Sequence, residues 1–361
     1  MSSYRFRNDR KYKRRRKLVI TIFILCVIAS VMAGYLILNK DEVINVDNPS
    51  NYTESEVSQS SSSLANGTAA KTTDISQPAD STAAVTTPSK ASNIVNTKDH
   101  GNLPKVGTVP KSGKMEELTK LISDYTKKLP GKYGVTYIDL ATGEMVNVND
   151  KIEYIAASTS KLPINVLLYK NIEAGNVKLD DMLVYKKEDF EGGTGIIQSS
   201  AYGTEYTVRE TSKLSITKSD NCGVNMLIRL LGIENVRNYI DEVGGQVHYD
   251  KRHRSCPYDM AQIAKDLYEL YLNNEDVYGE LINYLENTDW RDRIDANLPK
   301  EVKVAHKIGN QLTTRNDVGI VFATHPYVLS IMTENVDNDA ATKSIADLSE
   351  RIYEFEEAYA K

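Results

Sequence analysis

The chain has 361 residues, of which 41% are hydrophobic and 26% charged, proportions of a folded body and not of a multi-span membrane protein. Its net charge of −5 is unevenly placed: residues 1–17 carry +8, which leaves −13 on the other 344, and so acidic a body lacks the basic footprint of a nucleic-acid-binding domain. Three cysteines (Cys26, Cys222 and Cys256) are too few for a disulfide scaffold and do not cluster with histidines, which sets aside zinc-dependent and disulfide-built folds.

The basic block RKYKRRRK (10–17) precedes 21 residues, 18–38, without a charge. A helix of that length spans about 30 Å, the thickness of a bilayer core. Basic residues stay on the cytoplasmic side. The expectation is therefore a cytoplasmic tail (1–17), a transmembrane helix (18–38) and an extracellular remainder on a bacterial plasma membrane. A cleavable signal peptide is the rival, with Val31-Met32-Ala33 as its cleavage site. Cys26 follows Leu25, where a lipoprotein wants a small residue, and reads as an apolar thiol.

Residues 39–113 read as a linker. Between 51 and 100 there are 18 Ser or Thr and no aromatic after Tyr52, too little apolar surface to offset ordering entropy, so a disordered tether is expected. Ordered signals begin near Met115. MEELTKLISDYTKKL has helical spacing and stops before Pro130. Residues 132–149 alternate around a Gly-containing turn and read as a hairpin. A helix-rich middle (155–290) is followed by strand-like stretches at 302–309, 318–325 and 327–334, then a closing amphipathic helix. Two strands early and three late predict one five-stranded sheet whose halves are distant in sequence, within a single domain, 114–361.

Three short motifs carry chemistry. Ser158-Thr159-Ser160-Lys161 opens a helix, and a spacing of three places Ser158 and Lys161 on one face a turn apart. A serine hydroxyl is a weak nucleophile until a neighbour takes its proton, and lysine does so once burial lowers its pKa. Ser219-Asp220-Asn221 lies between two helices, and Lys307-Ile308-Gly309 lies on a strand. Each alone is ordinary: helix caps, turns and strand ends use these residues freely. The ordered combination S-x-x-K, S-D-N and K-[T]-G is not.

From about 115 onward the sequence resembles class A β-lactamases and related penicillin-recognising serine hydrolases. Further family-like words lie in order at Gly193–Ile197, Tyr206–Glu210, Cys256–Ala261 and Val304–Asn310. The resemblance implies an α/β fold: a five-stranded antiparallel sheet flanked by helices, plus an all-helical lobe. It implies Ser158 as the acylated nucleophile, Lys161 as its proton acceptor and Ser219 as a proton relay. Lys307 would tune Ser219 and attract the substrate carboxylate, and Gly309 would belong to the substrate-binding strand. Asn221 would bond the substrate amide, and backbone N–H groups of Ser158 and Asn310 would form an oxyanion hole. Arg315 lies near the family's carboxylate-binding arginine. No cofactor or metal is implied, and the partner would be a β-lactam or a peptidoglycan stem peptide.

Three departures qualify the resemblance. The family's E-x-x-L-N loop is shortened and its deacylating Glu is absent, leaving Asp250 as the one carboxylate in the remnant. Ile308 replaces a hydroxyl-bearing residue. His306 precedes Lys307 on an alternating strand, an argument against a catalytic base. Cys222 and Cys256 are expected as separate buried thiols. Two functions compete. One is a serine hydrolase forming an acyl-enzyme with β-lactams or acyl-D-Ala-D-Ala peptides, with slow β-lactam turnover. The other is a non-enzymatic domain that binds muropeptides or β-lactams and reports them.

Overall fold

The computed structural model describes residues 94–97, 100–247 and 253–359. The first helix, α1 (Met115–Thr126), stops ahead of Pro130, whose ring disfavours a helical preceding residue. The hairpin strands β1 (Lys132–Asp139) and β2 (Met145–Val148) follow. Six helices then form the middle: α2 (Lys161–Glu173), α3 (Val208–Thr217), α4 (Asn221–Leu231), α5 (Ile233–Glu242), α6 (Pro257–Asn273) and α7 (Glu275–Glu286). Strands β3 (Lys303–Gln311), β4 (Thr314–Phe322) and β5 (Tyr327–Glu334) precede the closing helix α8 (Asn338–Tyr359).

The five strands form one antiparallel sheet in the order β2-β1-β5-β4-β3, so the early hairpin joins the late strands through β1 and β5. Side chains alternate between two cores, as a two-residue period requires. Val135 and Tyr137 of β1, with Leu329 and Ile331 of β5, pack against Leu118 and Ile122 of α1 and Ile345 and Leu348 of α8. Ile138, Val328 and Met332 turn to the opposite core, which they share with α2–α7. Polar chemistry places helix starts: at α3 the Thr207 hydroxyl accepts from Glu210 N–H while Glu210 accepts from Thr207 N–H, a reciprocal cap readable in T-V-R-E.

Two expectations change. The strand expected from 318 begins at Thr314, because the polar residues 314–317 pair with β3 through their backbone and show no apolar alternation. Part of the expected tether is ordered. Strand Gly101–Pro104 pairs with Ile94–Thr97, Leu103 is buried, and the His100 ring stacks on Phe322 with centroids 3.8 Å apart. His100 also contacts Glu286 at 2.5 Å, and the Tyr268 hydroxyl donates to Pro104 O at 2.7 Å. These partners lie more than 160 residues away, so composition could not reveal them.

The membrane-spanning, extracellular placement does not stand. Among the described residues no helix is long and apolar enough to cross a membrane. The segment 18–38 from which the span was expected lies outside the described residues, as does Asp250. Cys222 and Cys256 are both buried free thiols.

Candidate active site

Ser158 sits in a single 3-10 turn, Ala157–Ser160, that runs directly into α2. Ala157 has φ of 49°, a left-handed conformation that a non-glycine residue holds only where its surroundings impose it. Ser219 shares that φ, and His253 has 51°. Ala157 and His253 border one cleft beside Ser158, and Ser219 borders another. The turn is held from below: Asn316 Nδ2 donates to Ile155 O and Ala156 O, and Ala156 N–H donates to His253 O. β3 passes so close that a Cβ on Gly309 would lie 2.7 Å from Ala156 O, which is why glycine stands there.

The Lys161 ammonium lies 3.0 Å from Ser158 Oγ, as the spacing of three predicts. It also reaches Ser219 O at 2.8 Å, Ser219 Oγ at 3.1 Å and Asn221 Oδ1 at 2.6 Å. Four acceptors surround three N–H hydrogens. Burial pulls the Lys161 pKa down to about 8, while Glu191 and Asp220 pull the other way. Asn165, one turn further along α2, donates to Lys161 O and Ser215 Oγ and accepts from Ser212, fastening α2 to α3 just before Ser219.

Lys307 approaches Ser219 from the sheet. Its ammonium donates to Ser219 Oγ at 3.2 Å and to Ile308 O at 3.1 Å, and lies 5.7 Å from the Trp290 ring centre. Burial and then the charge of Lys161 hold its pKa well below that of an ordinary lysine. With lysine donors on both sides, the Ser219 oxygen has its lone pairs engaged and its proton left to donate.

Asp220 builds the far wall. It caps α4 by accepting from Gly223 N–H, and it accepts from Ile196 N–H and Ile197 N–H at 2.6 and 2.9 Å. Those bonds draw the Gly193–Gly195 loop across Asn221, whose Nδ2 donates to Gly192 O. Gly195, at φ 103°, leaves no room for a Cβ, which would lie 2.2 Å from Asp220 Cγ.

Two clefts meet at Ser158. The larger, about 430 Å³, is lined by Lys161, Glu191, Asn221, His253 and Asn310 among others. The smaller, about 180 Å³, is lined by Thr194, Ser219, Trp290, Ile308 and Asn310. The structure thus brings Ser158, Lys161, Ser219, Asn221, Lys307, Gly309 and Asn310 together. It does not bring Arg315, which lines neither cleft and turns its guanidinium to Thr314 O. A buried arginine that sequence reasoning missed, Arg293, donates to Asn310 Oδ1 at 2.6 Å and Asn316 O at 3.1 Å. Glu191 was missed as well; no spacing marks it, because the loop alone carries it to the cleft. His306 Nδ1 contacts both Asp317 carboxylate oxygens at 3.0 Å and lines neither cleft, on the strand face opposite its neighbour Lys307.

A sequence model described as the Beta-lactamase enzyme family matches residues 115–355. The chain belongs to that family. Among β-lactamases it is similar to VEB-1 of Pseudomonas aeruginosa, at 21% identity over 66% of this chain and 87% of that protein. It is also similar to a β-lactamase of Bacillus amyloliquefaciens, at 28% identity over 65% of this chain and 84% of that one. Among solved structures, PBP-A superposes with a TM-score of 0.62 at 24% identity, covering 71% of this chain and 99% of PBP-A. An ancestral class A β-lactamase gives 0.61 at 24%, covering 66% and 99%. The fold is that of the class A β-lactamases, and the family member described here is an enzyme, a serine hydrolase of the β-lactamase type.

Proposed function

We propose that this hydrolase forms an acyl-enzyme on Ser158 with β-lactams, or with peptides ending in D-Ala-D-Ala, and releases the acyl group slowly. The observation that carries the reading is the 3.0 Å contact between Ser158 Oγ and a buried lysine whose pKa is drawn down to about 8. In the proposed cycle the neutral Lys161 amine takes the Ser158 proton as Oγ attacks the carbonyl carbon. The C–N bond breaks as Ser219 gives its proton to the leaving nitrogen, and Lys161 restores that proton. Backbone N–H groups of Ser158 and Asn310 receive the oxyanion. Lys307 supplies positive charge for a substrate carboxylate, and the buried Arg293 positions Asn310 beside it. Asn221 bonds the substrate amide. An acyl-enzyme complex of a PBP-A mutant with penicillin G supports this chemistry for the fold.

Slow release follows from the short connection between α5 and α6. It lacks the family's glutamate and carries a single carboxylate, Asp250. A general base contributes about 10²–10⁴-fold to a rate, and losing it would leave the ester standing. The test is rapid mixing of the protein with a chromogenic β-lactam, followed by mass spectrometry. A burst of one equivalent, with a persistent adduct on Ser158, is expected. Absence of both adduct and hydrolysis would leave a binding domain instead. Fast turnover without a burst would overturn the slow-release reading.

A further inference from the structure

Away from Ser158, three chain segments converge where β1 ends, β4 turns into β5, and α8 makes its last turn. They present Asp139, His325 and Glu356. One oxygen from each carboxyl group and one imidazole nitrogen all lie within 4.8 Å of one another. The turn is pinned on both sides of His325: Thr324 N–H and Oγ1 donate to Glu357, and Leu140 N–H donates to Pro326 O. Asp139 and Glu356 are buried, at 2% and 3% exposure, while His325 is half-buried and open to entry.

This cluster is short of positive charge. Asp139 Oδ1 accepts from Ala141 N–H and Thr142 N–H, and no cation pairs with the carboxylate among the described residues. The charged groups that act on the buried Glu356 carboxyl are Asp139, Glu357 and Glu144, all acidic, and the Tyr137 hydroxyl reaches it as a hydrogen-bond partner. A separate observation points the same way. The Tyr327 hydroxyl is fully buried and has no hydrogen-bond partner among the described residues, and its strongest charged neighbour is Glu356. Buried polar groups are nearly always partnered, and buried charges are paired or hold a metal.

We propose that Asp139, His325 and Glu356 bind a divalent transition-metal cation, zinc above all, which clasps the C-terminal helix to the sheet. The donor set decides the class. Imidazole favours zinc over calcium or magnesium, which prefer all-oxygen shells. Zinc holds nitrogen and carboxylate oxygen at about 2.0–2.2 Å, so the three atoms must draw in by roughly half an ångström or more, a shift that the half-buried His325 side chain can make. A water would complete four-coordination. The site takes no part in the chemistry at Ser158; its effect is on stability.

The test uses the full chain, stripped with chelator and titrated with zinc chloride at pH 7.5 by calorimetry and thermal unfolding. One equivalent bound and a raised Tm are expected. His325→Ala and Glu356→Gln should each weaken that binding at least tenfold, with far-UV circular dichroism unchanged. Glu356→Gln is nearly isosteric, so it keeps the test open should His325→Ala unfold the turn. No binding at about 0.1 mM zinc, where a useful site would saturate, would overturn the proposal. So would unchanged zinc affinity in both variants, or an equal response to magnesium.

Discussion

Acylation of Ser158 should accelerate as pH rises from 6 to 8 and level off above that, with Lys161 as the titrating group. Only the neutral amine can accept the serine proton. A pKa of about 8 leaves about 1% of Lys161 neutral at pH 6, about a tenth at pH 7 and half at pH 8. An ordinary lysine would be about 0.03% neutral at pH 7, so burial supplies some 300-fold more base, or about 3.4 kcal/mol at 1.36 kcal/mol per unit. The assay is the second-order rate of labelling by a fluorescent penicillin, measured by rapid quench from pH 6 to 9.5. The rise should be close to tenfold per pH unit below 7.5. Glu191 is the largest influence opposing burial at Lys161, so Glu191→Gln should move the inflection to lower pH. A flat profile, or an inflection above pH 10, would refute Lys161 as the base. An inflection unmoved in Glu191→Gln would refute the electrostatic account of its pKa.

Ser158→Ala should abolish covalent labelling while leaving the unfolding midpoint nearly unchanged, since the side chain caps no helix in the structure; wild-type labelling of that variant would place the nucleophile elsewhere. Gly309→Ala should cost about 2 kcal/mol or more in urea unfolding and slow acylation, because the new methyl would meet the Ala156 carbonyl at 2.7 Å and backbone cannot step aside; wild-type stability would show that β3 has slack. In metal-free protein Glu356 should destabilise the fold as pH rises. Its folded pKa, about 7, exceeds the unfolded 4.5, so the fold favours the protonated form and loses up to about 3 kcal/mol between pH 5 and 8. Glu356→Gln should escape that loss, and denaturation curves of the two proteins that stay parallel across this range would count against it.

Features governed by spacing were legible in the chain. Ser158 and Lys161 meet because three residues make most of a helical turn, and T-V-R-E caps its own helix. The period-two pattern of 302–334 announces strands, and two early strands with three late ones announce a single sheet. The ordered words around Ser219 and Lys307 identified the family. An uncharged run, by contrast, fixes only what a segment is able to do, and the membrane placement built on 18–38 failed. What the tertiary structure decided depends on which distant groups become neighbours. Arg293 lies beside the site because β3 carries Asn310 up to it, whereas Arg315 closes on its own backbone. His306 belongs to Asp317 because β4 lies across from it. Glu191 reaches the larger cleft on a loop drawn in by Asp220. The ribbon at 101–104 is ordered by contacts to residues far along the chain. Even the chemistry of Lys161 is of this kind: spacing sets its distance from Ser158, but its proton affinity is set by desolvation, which exists only once the two lobes close around it.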